Sequence, residues 1–133
     1  MRIVFADTFV WLALVNPKDA AHEKARLFID SFEGRIITTE LVLVEVGDAL
    51  AGTPEGRQEF LELWNDLIKD PDVQVTAHVS DLMEKTIELY GRRLDKQWSL
   101  TDCYSFVVMG EHDVWEALTG DHHFEQAGFI ALL

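Results

Sequence analysis

Apolar residues in this chain come in short runs of strand length, separated by longer stretches in which they recur at helical spacing. Residues 2–6 form a nearly continuous apolar run, the pattern of a central strand covered on both faces. Further strands are predicted at 35–38, 73–76 and 115–119, with a last short one at 129–132 on the sheet edge. Residues 8–15 read as a short helix ended by Asn16-Pro17. Residues 20–32 read as an amphipathic one with Ala21, Ala25, Phe28, Ile29 and Phe32 inward, and Gly34 is placed to terminate it. Residues 40–51 are apolar on most sides, which predicts burial against the sheet, and Gly52-Thr53-Pro54 closes them. Helical spacing returns over 54–69, over 79–94 and over 100–111, with a brief helix or turn at 122–126. Strands alternating with helices require right-handed crossovers, so the expected fold class is α/β: a three-layer α/β/α sandwich around a central parallel sheet.

In open sheets of this kind ligands bind beyond the carboxyl ends of the strands, where connections diverge to opposite faces. Asp7 and Asp121 follow two predicted strands directly or nearly so, Asp102 opens a helix, and Glu45 lies inside the apolar helix of 40–51. Each has a structural reading of its own. Asp7 suits an N-cap, Ser99-Leu100-Thr101-Asp102 has capping-box spacing, and Asp121 after Gly120 suits a turn or cap. Glu45 is harder to explain that way, because an unpaired carboxylate among Leu41, Val42, Leu43, Val44 and Val46 is expensive to bury. Asp48, three residues on, is a weaker candidate for an outer contact. If the strands are parallel neighbours, the four acids converge, and like charges brought that close demand protons or a cation.

At 133 residues, 48% of them hydrophobic, the chain suits a single domain over 1–133. No apolar run nears the roughly 20 residues of a membrane span, and the opening residues run straight into a strand pattern, so a soluble cytoplasmic protein is expected. The lone Cys103 excludes an internal disulfide and reads as a small buried hydrophobe. A formal net charge of −13 argues against a broad electropositive surface for nucleic acid, and it would suit a basic protein partner. Local cations remain at Arg92, Arg93 and Lys96. His22, His78 and His112 sit in polar or helix-end contexts. Adjacent His122 and His123 are expected to point apart and to be solvated, and Trp11, Trp64, Trp98 and Trp115 read as core or interface anchors.

Taken together, four motifs spread over essentially the whole chain resemble the PIN-domain ribonucleases, most closely the VapC-type toxins of toxin–antitoxin pairs. Residues 7–13 (Asp-Thr-Phe-Val-Trp-Leu-Ala) look like the first acidic motif and 38–45 like the second, with Glu45 at its end. Residues 99–103 and 117–124 are similar to the third and fourth. The resemblance implies that Asp7, Glu45, Asp102 and Asp121 form an acidic quartet holding Mg²⁺ or Mn²⁺, supported by Thr119 and Thr8. It implies an RNA substrate, a homodimer, and a cognate antitoxin that lays a peptide over the site. Glu111-His112-Asp113 departs from it, since a more basic turn is expected there.

Oxygen-only ligands favour hard divalent ions, and such ions suit phosphodiester hydrolysis. A housekeeping RNA-processing nuclease and a non-catalytic PIN-like binding module are the alternatives. An aspartyl phosphatase of the haloacid-dehalogenase type also sets an Asp after its first strand, but Asp7-Thr8-Phe9 lacks the second Asp two residues on.

Overall fold

The computed structural model describes residues 1–133. Its strands are β1 (Ile3–Ala6), β2 (Arg35–Thr39), β3 (Val73–Thr76), β4 (Glu116–Leu118) and β5 (Ile130–Ala131). They form one five-stranded sheet in the order β3-β2-β1-β4-β5, all neighbours parallel. Helices α1 (Thr8–Val15) and α2 (His22–Ser31) connect β1 to β2, and α3 (Glu40–Leu50) and α4 (Pro54–Lys69) connect β2 to β3. The return from β3 to β4 runs through α5 (Ser80–Arg92) and α6 (Leu100–Glu111), and α7 (His122–Gln126) joins β4 to β5.

Successive strand residues face opposite sides of a sheet. Val4, Phe5 and Ala6 are all at 0% exposure, so helices cover β1 on both faces and the three-layer α/β/α expectation holds. The chain leaves β1 toward β2 and β3, then crosses back to place β4 on the other side of β1. The connections therefore diverge between the carboxyl ends of β1 and β4, the crevice where open α/β sheets bind ligands. Two side-chain systems hold its walls. Trp11 Nε1–H donates to Thr38 Oγ1 (3.2 Å), whose own hydroxyl donates to the Ala6 carbonyl (2.8 Å), tying α1 and β2 to β1. Across the crevice, the Phe106 ring meets Phe124 edge-on at 4.9 Å and Trp98 at 5.1 Å, locking α6 to α7.

Departures from the expected elements are small and have local causes. The fourth strand is only 116–118, and Trp115 stays outside it, 54% exposed, with its ring near Phe129 and its Nε1–H donated to Asp113. The fifth shrinks to two residues. Helix α3 is less buried than its composition suggests: Val42, Leu43 and Val46 face the core while Val44 is exposed. The acidic turn after α6 has a structural role, with Asp113 in the left-handed region (φ 54) that Asp tolerates better than most residues, and Glu111 paired to Lys85 at 2.6 Å. Gly34 has φ +147, and a Cβ there would sit 2.2 Å from the Arg2 carbonyl.

Candidate metal centre

The strand ends supply the first part of the site. Asp7 follows β1 directly and its backbone N–H reaches the Leu118 carbonyl of β4 (3.4 Å), so the two ends are in register. Asp7 occupies the N-cap position of α1 without making a side-chain cap bond; its carboxylate turns to β4, where Thr119 Oγ1–H donates to Oδ2 (3.1 Å). Fully buried Thr119 also accepts the Asp121 N–H (3.0 Å), so one hydroxyl spaces two of the acids. Gly120 between them leaves room for Phe9, since a Cβ there would lie 2.6 Å from the Phe9 ring.

Helices bring the other two carboxylates. Thr8, one residue past Asp7, donates a short hydrogen bond from Oγ1 to Glu45 Oε1 on α3. Glu45 is half-buried. At the start of α6, Asp102 and Ser99 form a complete capping box: Ser99 Oγ accepts the Asp102 N–H (2.9 Å), and Asp102 Oδ2 accepts the Ser99 N–H (3.1 Å). Asp121 caps α7, with Oδ1 accepting the His123 N–H (2.9 Å).

His123 links Asp121 to Asp102. Its Nδ1 lies 3.0 Å from Asp102 Oδ2 and 3.5 Å from Asp121 Oδ1, and its side chain is only 19% exposed. The expectation that both histidines are solvated and diverge is thus corrected: the two rings are 4.6 Å apart, and Asp121, His122 and His123 offer ligand atoms within 4.8 Å of one another. The first residues of a helix wrap around its cap side chain, a closeness that chain adjacency alone does not reveal. His122 remains largely exposed, as expected. Asp48 is exposed on α3 and belongs to a separate groove with Phe60 and Trp64.

Hydrogen bonds therefore run from Asp7 through Thr119, Asp121 and His123 to Asp102, and a separate bond ties Glu45 to Thr8, the residue next to Asp7 in the chain. In each of the four acids a protein donor pins one named oxygen: Asp7 Oδ2, Glu45 Oε1, Asp102 Oδ2 and Asp121 Oδ1. Burial pushes the Asp7 carboxyl up to about 7, the charges of Asp102 and Glu45 add to the rise, and hydrogen bonds from Thr8 and Thr119 oppose it. Hard oxygen donors with a suppressed acid among them fit a divalent cation, whose charge would relieve that suppression.

Comparison with known proteins identifies the fold. The PIN domain matches residues 4–130. The 23S rRNA-specific endonuclease VapC20 of Mycobacterium tuberculosis is 30% identical over 129 residues, covering 96% of both chains. The crystal structure of that VapC20, described as a sarcin-ricin loop cleaving toxin, superposes with a TM-score of 0.89 at 28% identity, over 97% of this chain and 98% of that one. VapBC2 from Rickettsia felis, solved bound to a DNA fragment of its promoter, shares the fold at a TM-score of 0.68 and 12% identity, over 97% and 96% of the two chains. With the parallel sheet, its strand-end acids and a relative matched over nearly its full length all in accord, this chain belongs to the PIN-domain family.

Proposed function

We propose that this chain, as one catalytic domain over 1–133, is a metal-dependent endoribonuclease and the toxin of a toxin–antitoxin pair, acting in the cytoplasm. The observation that carries the reading is that one oxygen of each of Asp7, Glu45, Asp102 and Asp121 is held by a protein donor beside the switch point of the sheet. The 30% identity to a 23S rRNA-specific endonuclease supports RNA as substrate and makes the ribosomal sarcin-ricin loop the first one to try.

The remaining oxygens of Asp7, Asp102 and Asp121 would hold Mg²⁺ or Mn²⁺. Bound there, the ion supplies positive charge that activates water and stabilises a phosphoryl group under attack. Glu45, held by Thr8, orients the attacking water. Thr119 keeps Asp7 and Asp121 at a set separation, and Ser99 with His123 keeps Asp102 turned toward the centre. An unpaired loop of RNA suits this crevice, because its backbone can be drawn in without opening a duplex. An antitoxin with cationic side chains and a homodimeric assembly complete the reading.

Incubating the purified chain with sarcin-ricin loop RNA tests it. Mg²⁺- or Mn²⁺-dependent cleavage is expected, abolished by EDTA and by Asp7→Asn, which removes one negative oxygen with little change of shape. Undiminished cleavage by Asp7→Asn would overturn the assignment.

A further inference from the structure

Two adjoining cavities lie beside the metal centre at the junction of α5 and α6. The larger, about 410 Å³, is edged by Tyr90 and Leu94, floored by Trp98, and reached by Arg93, Lys96 and Ser99. The smaller, about 220 Å³, has no apolar lining: Asp95, Lys96, Gln97, His122, His123 and Gln126 surround it. Lys96 and Gln97 belong to both. Ser99 lines the first and His123 the second, and these are the two residues that hold Asp102, so each cavity shares a wall with the proposed site of chemistry.

This junction is built rather than loose. The Arg93 guanidinium forks onto the Asp95 carboxylate through two bonds of 3.0 Å and lies 5.1 Å above the Trp98 ring. Trp98 is 6% exposed and its Nε1–H donates to Gln126 Oε1 (3.0 Å), joining the junction to α7. Asp95 is thereby committed to Arg93. Lys96 Nζ stays 3.8 Å from Asp95, a loose contact that leaves its charge available. At the rim, Leu94 is 86% exposed and Tyr90 49% exposed, large side chains left to solvent at the mouth of an aromatic-floored cavity.

We propose that this junction seats one nucleotide of the RNA next to the metal centre, its base against the exposed Tyr90 and Leu94 and its phosphate on Lys96. A flat π-face joined to an anion has the same polarity as the paired cavities, and stacking on an aromatic with a nearby cation is how single-stranded nucleic acid is gripped without a duplex. The acidic chain cannot attract RNA over long range, so the grip must be local. This inference rests on the ribonuclease reading and names where that substrate is held.

Steady-state cleavage of a hairpin carrying the sarcin-ricin loop, in Mn²⁺, tests it alongside calorimetric Mn²⁺ binding without RNA. Lys96→Ala is expected to raise KM about tenfold with kcat little changed, and to lower the salt dependence of KM by about one phosphate's worth. Tyr90→Ala is expected to raise KM about fivefold, while Tyr90→Phe and Lys96→Arg recover most of the loss. Mn²⁺ affinity should not move in any of them, and Lys69→Ala, near the opposite edge of the sheet, should match the parent. Unchanged KM in both alanine variants, or a loss confined to kcat or Mn²⁺ affinity, overturns the nucleotide seat while leaving the nuclease reading intact. Failure of the unaltered chain to cleave with Mn²⁺ overturns the nuclease reading itself.

Discussion

Asp7 is the residue on which opposing physical demands meet most directly. It is 4% exposed, accepts a hydroxyl proton from Thr119, and faces the charges of Asp102 and Glu45. Its carboxyl ionises near 7 when folded and near 3.8 when unfolded. Between those values the native chain holds a proton that the unfolded chain has released, so native stability must fall as pH rises through that window. The three-unit gap bounds the loss at about 4 kcal/mol. Metal-free protein in EDTA should therefore melt several degrees lower at pH 8 than at pH 5, and Asp7→Asn should flatten much of that difference. Equal pH dependence in both proteins would show that Asp7 is not the strained group. Adding Mg²⁺ or Mn²⁺ at pH 8 should recover the lost degrees in the parent only. His123 teaches a different lesson at this scale, because nothing in its local pattern marks it. Only the cap geometry of α7 turns its ring onto Asp102.

At the level of elements, the same bonds that end or begin a helix also aim a carboxylate. The capping box of α6 satisfies backbone donors and fixes Asp102 in one stroke. Ser99→Ala should destabilise the chain by about 1 kcal/mol and also weaken Mn²⁺ binding in calorimetry, with Ser99→Thr recovering both. Loss of stability without loss of Mn²⁺ affinity would reduce the box to a cap. Much of this was legible beforehand: the Ser99 to Asp102 spacing, the acids after β1 and β4, the end of α1 before Asn16-Pro17 and the break between α3 and α4 at Gly52-Thr53 all stand where local chemistry puts them. What stayed hidden depends on partners remote in the chain. Glu45 reads as a buried orphan in its own helix, yet it is half-buried and bonded to Thr8, 37 positions away. Trp115 has the composition of a strand residue, but the left-handed Asp113 turns the chain and holds its indole outside β4.

For the whole molecule, the strand order was the part least readable from pattern, since nothing local says that β4 settles beside β1 rather than beside β3. That choice brings Asp7 beside Thr119, and it does so in a chain of net charge −13. Such a surface should recruit a cationic partner segment. A synthetic peptide bearing Arg and Lys is expected to inhibit cleavage with a potency that falls as salt rises, and its Glu-substituted counterpart should fail. Equal inhibition by both would assign the partner's grip to apolar contact instead. The pairing of β1 with β4 carries one more consequence. Asp7 and Thr119 stand 112 positions apart, and they meet only after the last strands have docked on the first. A copy whose first half has folded while β4 is still undocked therefore leaves Asp7 without its Thr119 hydroxyl, so the crevice is finished late however early its first acid is laid down.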